Sequence, residues 1–179
     1  MRNIVSINNN WFFSKEATAV PTELCTDWEA VNVPHCWNAI DGQDGGNDYW
    51  RGTAYYAKSI AKADLPEAQR YYLEIQGANS SADVYLNGSH LAHHDGGYST
   101  WRVDLTETLA DENLLVIAVD NAANDRVYPQ MADFTFYGGL YRNVNIIAVP
   151  ESHFDLDYFG TPGIKVTPVM EEKDAKTEV

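Results

Sequence analysis

The chain has 179 residues, with 12 Lys+Arg against 26 Asp+Glu for a formal charge of −14, and 45% hydrophobic and 12% aromatic residues. That length fits one domain with a stub of a second, and the apolar fraction supplies a core, which excludes wholesale disorder. The acidic excess repels phosphate backbones and anionic headgroups, so no nucleic acid and no membrane partner is expected, while neutral ligands stay open.

At the N-terminus, Ile4, Val5 and Ile7 form a short apolar run broken by Ser6 and followed by three Asn. No secretory h-region is present there, and a cytoplasmic location is expected. No stretch approaches the roughly 18 consecutive apolar residues of a spanning helix. Cys25 and Cys36 lack C-x-x-C spacing and read as ordinary thiols. From Val33 to Asn47 the Pro and Gly content predicts a long loop, the kind of segment on which a β scaffold mounts ligand groups. Thr53–Ile60 is β-prone. Arg70–Gln76 alternates Tyr71, Leu73 and Ile75 against Tyr72, Glu74 and Gln76, and Ala82–Leu86 sets Val84 and Leu86 against Asp83 and Tyr85. Asn87-Gly88 tolerates the positive φ of a two-residue type I′ turn, so Ser89–His93 returns as the hairpin partner. Further strands are predicted over 101–105, 113–120, 142–149, 154–159 and 164–169. No segment sustains a helical stripe, and the pattern predicts an all-β sandwich or jelly roll. Pro150 marks a boundary, giving a domain over 1–150 and a linker with the opening of a second unit over 151–179.

Several side chains invite chemical readings. His90, His93, His94 and Asp95 could offer ligands to a divalent ion, but strand alternation puts His90 and His94 on one face and His93 on the other, which leaves too few converging donors. His35 and Cys36 are adjacent on an extended segment and point apart, a poor arrangement for proton transfer to a thiol nucleophile. Trp37, Trp50, Tyr98 and Trp101 lie in or beside loops, where flat rings could stack on pyranose faces or close the ends of the core.

Four ordered blocks carry a resemblance: Val33-Pro34-His35-Cys36-Trp37-Asn38, Tyr49–Tyr56, Val84-Tyr85-Leu86-Asn87-Gly88, and Asp133-Phe134-Thr135-Phe136-Tyr137-Gly138-Gly139-Leu140-Tyr141-Arg142-Asn143-Val144. Over about Trp11–Val149 the chain resembles the N-terminal sugar-binding domain of glycoside hydrolase family 2, which includes β-galactosidases, β-glucuronidases and β-mannosidases. The resemblance implies a jelly roll that leans a loop edge over an active site in a separate (β/α)₈ barrel, with 151–179 as the first strands of a truncated immunoglobulin-like domain. The barrel supplies both catalytic glutamates of a retaining double displacement. In the family the acid/base follows an Asn, and no Glu here does, so the segment alone is expected to be inactive, with no cofactor of its own. Asp133 matches the aspartate that contacts a sugar hydroxyl or a sodium ion; the intact enzyme is thereby expected to use Na or Mg. Where the family usually has Asp or Asn before the Trp, this chain has Cys36, and the resemblance leaves Asn38 or His35 to substitute for it next to Trp37. A β-galactoside substrate and a homo-oligomeric parent are the resulting expectations, with a β-glucuronide or β-mannoside as alternative substrates and a lectin or a structural domain as alternative functions. Tyr137 and Arg142 are expected to be structural, a packed ring and a strand-end cation.

Overall fold

The computed structural model describes residues 1–38, 41, 49–128, 136–170 and 175–178. Twelve strands are found among them: β1 Asn3–Ser6, β2 Trp11–Ser14, β3 Glu29–Val31, β4 Thr53–Ala61, β5 Arg70–Ile75, β6 Ser81–Leu86, β7 Ser89–Asp95, β8 Trp101–Asp104, β9 Glu112–Asp120, β10 Val144–Val149, β11 Thr167–Met170 and β12 Ala175–Glu178. They form a four-stranded sheet in the order β1-β10-β5-β8, a six-stranded sheet in the order β3-β2-β4-β9-β6-β7, and the separate β11-β12 hairpin. The two large sheets make the sandwich that the alternating patterns predict, a galactose-binding-like jelly roll.

Strand alternation decides what each face buries. Tyr71, Leu73 and Ile75 of β5, Val144, Ile146 and Ala148 of β10, and Trp101 and Val103 of β8 meet Trp11, Phe13, Tyr56, Val84, Leu86, Leu115, Ile117 and Val119 from the six-stranded sheet in one continuous core. Asn87 (φ 52) and Gly88 (φ 81) both take positive φ between β6 and β7, as a type I′ turn requires.

Three differences from the sequence pattern have physical causes. First, β1, β2 and β3 have only three or four residues each, too few to show a period. Second, Phe154–Phe159, expected as a strand, is an irregular cover over the outer face of the four-stranded sheet. There Leu156 joins Tyr72, Ile147 and Val149 in a second buried cluster, while Phe159 sits at φ 48 and is 84% exposed. Third, the register shifts between Val84 and Tyr85 against β7, so that Val84 pairs with Ala92 and Tyr85 with His90. Leu91 is the extra residue of this bulge. His90 is thereby turned onto the His93 face: His90 Nε2 and His93 Nδ1 both reach Asp83 Oδ1, at 2.8 and 3.0 Å, while His94 stacks on Trp101 with ring centroids 4.8 Å apart.

Candidate functional site

After β3 the backbone runs extended without entering a sheet. The N–H of Val33 donates to the Asn8 carbonyl (2.8 Å), that of His35 to Leu140 (2.7 Å) and that of Trp37 to Gly138 (3.3 Å). On its other side the 138–140 segment pairs with Asn79: Asn79 N–H donates to the Gly139 carbonyl at 3.1 Å, and Asn79 Nδ2 donates to the Tyr137 carbonyl at 2.8 Å. Three connections, β3–β4, β5–β6 and β9–β10, thus meet at one end of the sandwich. The glycine pair in the last of them is required by that approach. A Cβ on Gly138 would lie 2.2 Å from Trp37 Cζ2, and one on Gly139, which sits at φ +126, would lie 2.4 Å from the His35 carbonyl oxygen.

An aromatic floor lies beneath the junction. Phe13 stacks on Trp37 at 5.9 Å and touches the His35 ring at 4.7 Å, and Trp50 meets Trp37 edge-on at 5.6 Å. The buried Tyr56 hydroxyl accepts from the Leu140 N–H at 3.4 Å and is hydrogen-bonded to His35 Nδ1 at 2.8 Å. Burial lowers the His35 pKa and keeps the ring neutral, with Glu29 raising it and Lys15 lowering it further. Burial likewise raises the Cys36 thiol, which stays protonated and a poor nucleophile. A groove of about 500 Å³, walled by Phe13, Lys15, Asp27, Trp28 and Glu29, opens where the chain leaves β2 and enters β3.

Of the residues expected to face sugar, His35, Cys36, Trp37 and Asn38 stand together at this end, whereas Asp133 lies outside the described residues, and the sodium expected beside it with it. Two of the four differ from the expectation. Trp37 is only 7% exposed, packed between Phe13, Trp50 and Gly138, so its faces offer no stacking platform. Asn38 is fully buried, and its amide is saturated by protein partners: Nδ2 donates to Asp41 Oδ2 and the Trp50 carbonyl, both at 3.1 Å, and Oδ1 accepts from Gly138 N–H at 2.7 Å and Asn121 Nδ2 at 3.3 Å. It therefore has no capacity left to replace Cys36 against a hydroxyl. His35 is half-buried and keeps a nitrogen beyond its bond to Tyr56. Trp101 likewise belongs to the core, while Tyr98 is half exposed. Tyr137 is 39% exposed, and its backbone carbonyl accepts from Asn79 Nδ2. Arg142 lies over the Tyr141 ring at 5.3 Å and donates to the Tyr98 carbonyl at 2.9 Å. Asn79 and Asn121, which knit the junction, stand at the ends of strand patterns and carry no sequence signal of this role.

Elsewhere, His93 is held between Asp83 and Asp95. Burial alone would lower its pKa, and the two carboxylates outweigh that and raise it. Among the described residues, no group of three or more His, Cys, Asp or Glu is arranged to hold a metal ion.

Residues 10–150 match the family model described as glycosyl hydrolase 2 galactose-binding domain-like. The chain belongs to glycoside hydrolase family 2. A β-glucuronidase from Bacteroides fragilis is 32% identical over 98% of the chain, which covers 25% of that protein, and a β-galactosidase from Thermoanaerobacterium thermosulfurigenes is 30% identical over 82% of the chain and 21% of its own length. Among solved structures, an FMN-binding β-glucuronidase from F. prausnitzii L2-6 superposes with a TM-score of 0.82 at 44% identity, covering 94% of this chain and 26% of that one. The chain therefore spans about a fifth to a quarter of the length of these three relatives. The matched range runs from the start of β2 to the end of β10 and contains both loop blocks of the junction, while the β11-β12 hairpin falls beyond it.

Proposed function

We propose that this chain is the non-catalytic N-terminal unit of a longer retaining exo-glycosidase, and that it lends one loop edge to the pocket for the non-reducing sugar. The carrying observation is the backbone pairing of 35–37 with 138–140, which joins the His35–Asn38 loop to the root of the connection that contains Asp133. Asp133 accepts a sugar hydroxyl or ligates a hard cation in this reading, and His35 is a second hydroxyl partner through Nε2. The two carboxylates that break the glycosidic bond belong to a barrel beyond this chain. The β11-β12 hairpin, a two-stranded sheet too small to be stable alone, is the opening of the next domain.

For the glycone, a β-glucuronide takes precedence, because the glucuronidase structure at 44% identity is more similar to the chain than the galactosidase at 30%. A β-galactoside is the second reading, supported by that same galactosidase. The test is turnover of 4-nitrophenyl β-glucuronide and β-galactoside by the full-length protein and by the 179-residue chain. The full-length protein is expected to favour the glucuronide in kcat/KM by roughly tenfold or more, and the chain alone to turn over neither. Turnover by the chain alone, or inactivity of the full-length protein on both, overturns the proposal; a reversed preference overturns the choice of glycone.

A further inference from the structure

Asn38 stands on the loop where a sugar contact is expected, yet its side chain is 0% exposed and bonded on all sides. Its four partners come from two connections: Asp41 and Trp50 from β3–β4, and Asn121 and Gly138, the latter 100 positions away, from β9–β10. Those partners are also tied to one another. Asp41 Oδ2 accepts from Trp50 N–H at 2.9 Å, and Asn121 takes the Gly52 N–H on Oδ1 at 2.9 Å while its Nδ2 donates to the Trp50 carbonyl at 3.1 Å. None of these side-chain bonds belongs to a strand ladder, and together with the backbone pairing of 35–37 with 138–140 they fix how the described ends of the two long connections leave the sheets. The shortest bond of the Asn38 amide, at 2.7 Å, is to Gly138, five positions after Asp133 in sequence.

We infer that Asn38 is a positioning residue: its buried amide sets the root of the connection carrying Asp133, and through it the sugar pocket, without touching the sugar. The inference rests on the function proposed above. Its chemistry is specific, because the site needs two donors on one side and two acceptor lone pairs on the other, which an amide supplies and a carboxylate of the same shape does not. Asn38→Asp turns both donors into acceptors facing Asp41 Oδ2 and the Trp50 carbonyl, and adds a buried charge beside a carboxylate.

The experiment is steady-state kinetics of the full-length protein, wild type and Asn38→Asp, with glycosides of one glycone and several leaving groups. KM is expected to rise, lowering kcat/KM by roughly 10- to 100-fold, and by the same factor for every leaving group, since only the glycone pocket is displaced. A purely structural role would reduce the folded fraction, lowering kcat with KM unchanged; that result, or unchanged kinetics, overturns the inference. Should Asn38→Asp not yield folded protein, Asn121→Ser removes one of the four bonds and is expected to raise KM by a few-fold, on the same criteria. Wild-type protein inactive on glycosides would overturn the functional reading and this inference together, whereas an active wild type with an unaltered KM in the variants overturns the inference alone.

Discussion

Arg102→Ala is expected to lower the unfolding free energy of the chain by about 3–5 kcal/mol, read as a shift of the urea midpoint. Glu74 and Arg102 are directly opposed on β5 and β8 and face outward from the core, where strand alternation alone would leave them in water. The 154–161 cover removes that water, and their side chains are 8% and 7% exposed. Arg102 Nε and Nη2 donate to Glu74 Oε2 at 2.8 and 2.6 Å, and Nη1 donates to the Leu156 and Thr161 carbonyls at 2.9 and 3.0 Å. Glu74 Oε1 accepts from Asn145 Nδ2 at 3.1 Å. Removing the guanidinium strands a carboxylate in a dry site and releases the cover that keeps it dry. Removing both charges is a different matter: Glu74→Met with Arg102→Met leaves no unpaired ion, so the double variant is expected to be more stable than either single truncation. Arg70 and Glu151 are also 2.6 Å apart, but at 33% and 60% exposure, and Arg70→Ala is expected to leave the midpoint within error of the wild type.

Gly139→Ala is expected to cost about 3 kcal/mol or more, from two sources that add. The residue sits at φ +126, in a region that disfavours a side chain, and the new methyl would lie 2.4 Å from the His35 carbonyl oxygen, a backbone atom between the two N–H donors, of His35 and Trp37, that bind the 138–140 segment. Gly88→Ala isolates the first source. It has φ +81 but nothing within 4 Å of the added carbon, so only the conformational cost of roughly 1 kcal/mol remains. Thermal unfolding of the two variants measures the difference. Equal losses would show that the 138–140 segment yields freely and that the junction is looser than its hydrogen bonds imply.

Those two sites mark how far the sequence could be read. Alternation in Arg70–Gln76 and Ala82–Leu86 gave the inner faces correctly, because each residue's side follows from its neighbour's. It could not show that the Tyr72–Glu74 face is itself covered, since the cover comes from residues some 80 positions later whose irregular path has no period. The bulge that turns His90 toward Asp83 was hidden for a similar reason: the extra residue, Leu91, is apolar and looks like any strand position. In the candidate site, the Gly138-Gly139 pair was visible as a motif, and its cause, the Trp37 indole and the His35 carbonyl, was not. Asn38 was legible as a polar loop residue beside Trp37. Its commitment to Gly138 and Asn121 depends on contacts 100 and 83 residues away, and local sequence is silent on these.

If this domain completes a sugar pocket whose catalyst lies elsewhere, kcat/KM of the full-length protein must respond to Asp133→Ala. Loss of a charged partner to a sugar hydroxyl predicts a fall of roughly 10- to 100-fold on the preferred glycoside, with the unfolding midpoint unchanged. An unaltered kcat/KM would show that the domain contributes no sugar contact through Asp133.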